Sequence, residues 1–513
     1  MRDSKAQKAR EVNMDTNILY YGDNLEVLRK YVRDGIVDLC YIDPPFNSKR
    51  TYNQIYNNIG TEDRAQSQAF IDTWTWDDRA IEGYQEILDN NAARFTKQTI
   101  ELIKGLSNVL GKGSLLAYLV SMTLRITEIQ RVLKPTGSFY LHCDPTASHY
   151  LKLILDGVFV PNGGDLRNEI IWHYLKWSVA QRQFVHNHNV IFFYSKSEDR
   201  NRVFNTLFVD RSPATKKRFG NAQILSSHDS QGNRQPSQTK GKSVGVAMDD
   251  VWDISRVPPI KQLYPTEKPP LLLERIVRAS TNEGDLILDA YCGCGTTVAV
   301  AQEFKRKWIG IDITYQSIAV ILRRLEDQFG QSVTNSIKLD GIPRDMASAC
   351  ALANKKDDRV RKEFEKWAIM TYTGNRAIIH QKKGADAGID GIAYFRTTNI
   401  DNAKIILQVK SGSVGRGDVA KLHGDMQRES AAMAVLITLE PPTAPMIKEA
   451  KGAGCYHHDL MDRNYDAIQI VTIQDMIENG KVLDIPMSLE VLKAAQLKAV
   501  GNQLSLLDDV PEL

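Results

Sequence analysis

The sequence of 513 residues is too long for one small module, and at about 150 residues per domain it predicts roughly three domains. Apolar residues make up 42% of the chain and charged residues 25%, which excludes a globally disordered protein. The net charge of +3 is too small to identify a nucleic-acid-binding protein by itself, and no run of about 18 uncharged apolar residues predicts a membrane span. The six cysteines form no two CxxC pairs, so we expect a reduced, cytoplasmic protein without a zinc site and without a membrane partner.

The first 170 residues alternate between strand and helix patterns. ILYYGD predicts a strand, NLEVLRKY a helix and VDLCYI a second strand that ends in a double proline. Residues 61–133 are mostly helical in pattern, 137–144 predict another buried strand, and 149–155 a short helix. This alternation predicts an α/β layer.

The middle of the chain is locally basic. Residues 171–250 hold 12 Lys and Arg against 6 Asp and Glu, and 211–246 are so polar that we predict a mobile loop there. After it the α/β alternation resumes: LLLERIVRAS predicts a helix, DLILDA a strand, TTVAVAQEF a helix and KWIGID a strand. A parallel α/β unit therefore continues to about residue 345.

A glycine loop in this second unit is typical of a nucleotide-type pocket. A strand ends at Asp289, Gly293 and Gly295 let the backbone approach a ligand, and Asp312 ends the next strand, where it could accept hydrogen bonds from ribose hydroxyls. A dinucleotide fingerprint would need a third glycine at Val298, so NAD is disfavoured. The alternative is a tight turn that only packs a helix on a strand.

A second candidate site follows the strand VDLCYI. Asp43, Pro44, Pro45 and Phe46 should lie at the carboxyl edge of the sheet, where α/β folds place their sites. A carboxylate and a carbonyl held by prolines can accept both hydrogens of an amine, while the aromatic ring stacks on the heterocycle that carries it. Taken alone, such a tetrad is more often a turn.

Four motifs together resemble the β-class DNA amino-methyltransferases of the N4/N6 family. They are DPPF at 43–46, PTEKP at 265–269, DAYCGCGTT at 289–297 and WIGID at 308–312. Their order, with the catalytic loop first and the cofactor loop last, is the permuted order of that family. The resemblance covers about 17–330 and implies a permuted Rossmann-like, S-adenosylmethionine-dependent fold with an inserted target-recognition region.

The resemblance also implies roles for individual residues. Asp23 would lie near the cofactor adenine, Asp312 would hold its ribose, and Ala290 stands where the family commonly has proline. The remaining residues implied to contact S-adenosylmethionine are Thr266, Glu267, Lys268, Asp289, Tyr291, Gly293, Gly295 and Thr296.

The implied reaction is methylation of a base amine in double-stranded DNA. The base must be flipped into a pocket, where Asp43 and the Pro44 carbonyl localise the amine lone pair and Phe46 stacks on the ring. Asp43, rather than serine, favours N6-adenine over N4-cytosine, and the chain has no Pro-Cys dipeptide of the cytosine-C5 enzymes. Alternatives are an N4-cytosine enzyme, a DNA-binding module without turnover, and methylation of a protein amide. A homodimer is left open.

The C-terminal part resembles the Mrr-like branch of the restriction-endonuclease fold over about 363–483. Gln408 and Lys410 share one face of a predicted strand, and Asp390 precedes the neighbouring strand. The resemblance implies that Asp390 and the Val409 carbonyl hold Mg²⁺ while Lys410 positions the attacking water. Glutamine at 408 replaces an acid, so the alternatives are a domain that binds DNA without cutting it and an unrelated strand pair.

We therefore predict a restriction-modification protein with an α/β methyltransferase part and a C-terminal α/β endonuclease-like domain. A peptide at 503–507, Gln503 to Leu507, also resembles sliding-clamp-binding peptides. The predicted boundaries are a flexible tail 1–16, a catalytic half 17–170, a target-recognition region 171–262, a cofactor half 263–345, a linker 346–362, the endonuclease-like domain 363–486 and a tail 487–513.

Overall fold

The structure, a computed structural model, describes most of the chain in nine segments. They are 17–45, 74–176, 184–258, 267–343, 345–354, 358–379, 388–397, 402–459 and 461–485. The predictions for Phe46, Thr266, the tails 1–16 and 487–513 and the peptide 503–507 concern residues outside these segments.

A nine-stranded sheet forms the first part of the protein. Neighbouring strands are parallel except β5, which is antiparallel to both β4 and β3. In spatial order the strands are β10 (Val251–Asp253), β4 (Asp165–His173), β5 (His188–Ser195), β3 (Leu133–Cys143), β2 (Val37–Ile42), β11 (Leu286–Asp289), β12 (Lys307–Asp312), β1 (Ile18–Tyr21) and β13 (Lys338–Asp340). The predicted α/β class is confirmed.

Successive strand residues point to opposite faces of this sheet, so both faces carry apolar side chains. Helices cover both faces. Cys40 and Ile42 face one apolar core, and Leu39 and Tyr41 face the other. Among the described residues, no helix is long and apolar enough to cross a membrane. The helices of this part are α1 (Asn24–Tyr31), α2 (Asp78–Asp89), α3 (Lys97–Leu110), α4 (Ser114–Val132), α5 (Ser148–Phe159), α6 (Pro213–Phe219), α7 (Pro270–Ser280), α8 (Thr296–Glu303), α9 (Tyr315–Phe329) and α10 (Gln331–Ser336).

The predicted mobile loop at 211–246 is wrong. This stretch contains α6 and an antiparallel pair of strands, β7 (Ala222–His228) and β8 (Arg234–Lys242). The short strands β6 (Phe208–Val209) and β9 (Val246–Ala247) pair at its base. Backbone hydrogen bonds pair these two strands, whose sequence is mostly polar and has no apolar alternation that would reveal them.

The C-terminal part has its own five-stranded sheet. The order is β14 (Ile378–Ile379), β15 (Gly391–Arg396), β16 (Asn402–Lys410), β17 (Met433–Thr438) and β20 (Ile468–Thr472), with a separate pair β18 (Cys455–His458) and β19 (Arg463–Asp466). Its helices are α11 (Met346–Ala353), α12 (Asp358–Tyr372), α13 (Arg416–Arg428), α14 (Ala444–Gly452) and α15 (Ile473–Glu478).

The two parts touch through α12 and α9. Glu363 on α12 accepts hydrogen bonds from the Tyr315 backbone N–H at 3.0 Å and from the Tyr21 hydroxyl at 3.4 Å. Phe364 shares an apolar core with Tyr315. The stretch predicted as a linker, 346–362, accordingly includes the helix α11, whose Ala349 is fully buried in the same core.

Candidate active sites

An open pocket lies at the carboxyl ends of β2 and β11. These strands are parallel neighbours, with Tyr41 beside Asp289, so the fold brings the DPP loop and the glycine loop together. The lining residues are Tyr41, Asp43, Pro44, Pro45, Lys268, Leu273, Asp289, Tyr291, Cys292, Gly293, Cys294, Thr296 and Thr297.

Asp43 and Lys268 form a largely buried ion pair in this pocket although 225 residues separate them. Lys268 Nζ donates to Asp43 Oδ2, and the side chains are 13% and 18% exposed, respectively. Burial raises the pKa of Asp43, while the Lys268 ammonium opposes this rise. The other carboxylate oxygen, Oδ1, is buried and has no hydrogen-bond partner within the described part of the chain. Asp43 therefore offers one unused acceptor beside the pocket.

The backbone conformation of the glycine loop favours glycine at two positions. Gly293 and Gly295 have φ values of +52° and +74°, in the left-handed region. A Cβ on Gly295 would also lie 2.7 Å from a side-chain carbon of Ile321. The loop backbone thus reaches the pocket without side chains in the way, and α8 begins directly after it.

Two carboxylates accept hydrogen bonds from the backbone of the glycine loop. Asp289 Oδ1 accepts from the Tyr291 N–H at 3.0 Å, and Asp312 Oδ2 accepts from the Gly293 N–H at 2.9 Å. Burial raises the pKa of Asp289 to about 7 and that of Asp312 to about 6. Both carboxylates would therefore become more ionised as the pH rises through these pKa values or as a cation binds beside them.

Four of the described residues predicted to bind the cofactor do not line this pocket: Gly295 and Asp312 of the glycine-loop region, and Asp23 and Glu267. Asp23 caps α1 through the Leu25 N–H at 2.8 Å and pairs with Arg125 on α4 at 2.9 Å. Glu267 forms a buried ion pair with Arg324 on α9. The side chains of Asp23 and Glu267 hold neighbouring elements together in this structure.

Sequence reasoning missed a polar group behind the pocket. His142 on β3 is fully buried, and its Nδ1 lies 2.9 Å from the Tyr41 hydroxyl and 3.8 Å from Asp43 Oδ1. Its Nε2 lies 2.9 Å from Asn189 Nδ2 on β5. The apolar run of β3 could have indicated a buried histidine, but nothing in the sequence joins it to Tyr41, 101 residues before it, or to Asn189, 47 residues after it.

A second site lies in the C-terminal sheet. Asp390 precedes β15, its N–H donates to the Leu407 carbonyl, and its Oδ2 accepts from the Val409 N–H at 2.8 Å. Gln408 Nε2 donates to the Gly388 carbonyl at 2.5 Å, so the amide orientation is set and its buried Oε1 has no hydrogen-bond partner among the described residues. The structure thus brings Asp390, Gln408 and Val409 together as the sequence predicted.

Lys410 is the last residue of the strand β16. A further carboxylate, that of Glu365, was not predicted from the sequence and interacts electrostatically with Asp390 and Lys410. Burial raises the pKa of Asp390 to about 7, against the lowering effect of the Val409 N–H, and the charge of Glu365 on α12 adds to the rise. Burial also raises the pKa of Glu365, while cations that include Lys410 oppose this. Within the described segments, no three His, Cys, Asp or Glu side chains are placed to share a metal ion. A metal would need neutral oxygen donors as well.

The chain is similar in sequence to several proteins that are named as methyltransferases. It is 28% identical to the Type II methyltransferase M.HpaI of Haemophilus parainfluenzae, over 47% of this chain and 66% of the relative. It is 27% identical to M.BamHI of Bacillus amyloliquefaciens, over 61% and 58%, and 32% identical to the DNA adenine methyltransferase YhdJ of Escherichia coli K12, over 39% and 64%. The chain thus spans about three fifths of the length of these relatives.

Two family profiles match separate parts of the chain. Residues 361–465 match the family described as restriction endonuclease, and this range includes Asp390, Gln408 and Lys410. Residues 37–323 match the family described as DNA methylase, and this range includes every residue that lines the pocket. Because the second match spans more than half of the chain, the protein belongs to the DNA methylase family, and it carries a C-terminal restriction-endonuclease-like domain.

Proposed function

We propose that this protein transfers a methyl group from S-adenosylmethionine to the N6 amine of a flipped adenine in double-stranded DNA. The observation that carries the proposal is the unpartnered, buried Oδ1 of Asp43, which lies in one pocket with the glycine loop. The adenine target is supported by aspartate at the first motif position and by the name of one relative, a DNA adenine methyltransferase.

The residues of the glycine loop fit S-adenosylmethionine. Asp289 and Asp312 stand behind a loop that is open to a ligand, and their carboxylates suit a ligand that carries positive charge. When bound, S-adenosylmethionine supplies an electrophilic methyl group on a positively charged sulfur. Tyr291 and Thr296 line the same pocket and would contact the cofactor with Gly293.

Asp43 would prepare the amine for attack. Its Oδ1 can accept one amine hydrogen and the Pro44 carbonyl the other, which directs the nitrogen lone pair away from the ring plane. When the amine nitrogen takes the methyl group, the S–C bond would break and leave the sulfur as a neutral thioether, and the amine would have to lose a proton; the burial that raises the pKa of Asp43 favours transfer of that proton to Oδ1. Lys268 would hold the carboxylate ionised before that step.

The test is methylation of bacterial genomic DNA by the purified chain with labelled S-adenosylmethionine, followed by sequencing that detects modified bases. Wild type should produce N6-methyladenine in one sequence context. Asp43→Asn should still bind the cofactor. Its turnover should fall by at least about a thousandfold, because Asp43 acts only on the reacting atoms. Asp34→Asn, an exposed carboxylate outside the pocket, is the matched control. N4-methylcytosine as the product would correct the target base, and near-normal turnover of Asp43→Asn would refute the assigned role.

We infer a second activity for the C-terminal domain: cleavage of DNA with Mg²⁺. The unpartnered Oε1 of Gln408, the carboxylate of Asp390 and the Val409 carbonyl are hard oxygen donors, which Mg²⁺ prefers. When bound, Mg²⁺ would polarise the phosphate and activate water. Lys410, at the end of the same strand, would orient the attacking water.

Cleavage should be assayed on DNA with and without the chain's own methylation, in Mg²⁺ and in Mn²⁺. Lys410→Ala should lose cleavage and keep methylation, while Lys448→Ala, an exposed lysine on α14, should keep both. The preference between the two DNA samples tells whether modified or unmodified DNA is attacked. No cleavage of either sample with either metal would support a DNA-binding domain instead.

A further inference from the structure

A line of four polar side chains leads from β4 and β5 to the methylation pocket. The Tyr174 hydroxyl donates to Asn189 Oδ1 at 2.9 Å, Asn189 Nδ2 lies 2.9 Å from His142 Nε2, and His142 Nδ1 lies 2.9 Å from the Tyr41 oxygen. Tyr41 and His142 are 2% and 0% exposed. The line ends at Tyr41, which lines the pocket beside Asp43 and Pro44.

The hydrogen bonds along this line run in one direction. Because Tyr174 donates to Oδ1 of Asn189, the amide group must present its Nδ2 hydrogen to His142 Nε2. Burial lowers the pKa of His142 well below its usual range, and the charge of Lys268 lowers it further, which favours the neutral ring with one hydrogen; a ring nitrogen that accepts from the Asn189 amide must also be unprotonated. With Nε2 as acceptor, that hydrogen is on Nδ1 and is donated to the Tyr41 oxygen.

The hydroxyl hydrogen of Tyr41 is therefore left for another acceptor. It is not used on His142, whose Nδ1 is the donor of that pair. Nor is it used on Asp43 Oδ1, which receives no hydrogen bond from any part of the chain that the structure describes. The pocket wall consequently presents two acceptors, at Asp43 and Pro44, and one donor, at Tyr41.

We propose that Tyr41 recognises the target base by donating its hydroxyl hydrogen to the ring nitrogen next to the exocyclic amine, which is N1 in adenine. The proposal rests on the proposed function and deepens it. Adenine and cytosine both place an amine beside an unprotonated ring nitrogen, so both fit two acceptors and one donor. Guanine and thymine have an N–H at that ring position, and two donors would then face each other without a partner.

The experiment combines a change in the protein with a change in the base. Wild type and Tyr41→Phe are assayed on duplexes that contain the methylated sequence, with adenine or 1-deazaadenine at the target. We expect Tyr41→Phe to lower kcat/KM on adenine about tenfold, the usual effect of one lost hydrogen bond. The replacement of N1 by carbon should cost wild type about tenfold more than it costs Tyr41→Phe, because the variant has no donor to lose.

Two controls separate this proposal from simpler explanations. Tyr140→Phe removes a buried hydroxyl that bonds to Ser280 outside the pocket, and it should respond to 1-deazaadenine as wild type does. Wild type should tolerate 7-deazaadenine, which changes a different ring position, and this comparison remains informative even where Tyr41→Phe folds poorly. Equal losses on 1-deazaadenine in wild type and Tyr41→Phe, or equal losses on the two analogues in wild type, would overturn the role of Tyr41. Failure of wild type to methylate the adenine duplex would instead refute the proposed function.

Discussion

Replacing Lys268 with methionine should destabilise the protein in a pH-dependent way, because Lys268 is the cation beside the buried Asp43 carboxylate. Methionine keeps the approximate length and apolar volume of the stem and removes the charge together with the hydrogen bond to Asp43 Oδ2. With the two side chains 13% and 18% exposed, the pair belongs to the buried class, in which removal of one partner costs about 3–5 kcal/mol. The remaining exposure favours the lower end, about 3 kcal/mol.

The pH dependence follows from the protonation of Asp43. Burial raises its pKa in the folded protein and Lys268 holds it down, so the variant has a folded pKa further above the unfolded value. Between these two values the folded state binds a proton that the unfolded state lacks, so the stability contributed by Asp43 falls as the pH rises. The deficit against wild type should be smallest below the folded pKa of wild type and grow by up to about 1.4 kcal/mol per pH unit between that pKa and the higher folded pKa of the variant.

Urea unfolding of wild type and variant from pH 5 to pH 8 measures this deficit. Lys30→Met is the matched control, since Lys30 pairs with Glu26 on the exposed face of α1 and its loss should change stability far less than loss of the buried pair at any pH. A Lys268→Met deficit that is the same at pH 5 and pH 8, or no larger than that of the control, would refute the assignment of this pair. The same variant should methylate more slowly, since the amine would then meet a protonated Asp43.

Three further predictions concern the cofactor loop, the contact between the two parts and the second site. Because burial raises the pKa of Asp289 to about 7, S-adenosylmethionine should bind more tightly as the pH rises from 6 to 8, by about tenfold in total with most of the gain below pH 7, and release protons; calorimetry in buffers of different ionisation enthalpy should show this, and Asp289→Asn should flatten it. Glu363→Ala removes the carboxylate that accepts from the Tyr315 N–H at the start of α9 and should cost about 1 kcal/mol in unfolding experiments, whereas a loss below about 0.3 kcal/mol would contradict the capping role. Gly388→Ala should abolish cleavage but not methylation, because Gly388 has φ +67° and a Cβ there would lie 2.5 Å from Gln408 Nε2; retained cleavage would argue against a metal ligand at Gln408.

Local sequence determined the elements and the position of the motifs along the chain. Apolar runs bounded by turn residues predicted β2, β11 and β12, and Asp43 was expected at the carboxyl edge of the sheet because it follows the strand β2. The spacing of two between Gln408 and Lys410 likewise determined that they share one face of β16. These features depend on neighbours in the chain and are therefore readable from it.

Only the tertiary structure decided which side chains meet across long stretches of sequence. Lys268 reaches Asp43, His142 joins Tyr41 to Asn189, and Glu365 approaches the second site because sheet order and helix packing bring them together. The strand pair at 222–242 also depends on pairing between strands, and its sequence has no apolar alternation that would predict it. Periodicity indicates which face of a segment is buried but not which distant segment packs against that face. The residues that shift the pKa of each carboxylate therefore could not be predicted from the sequence alone.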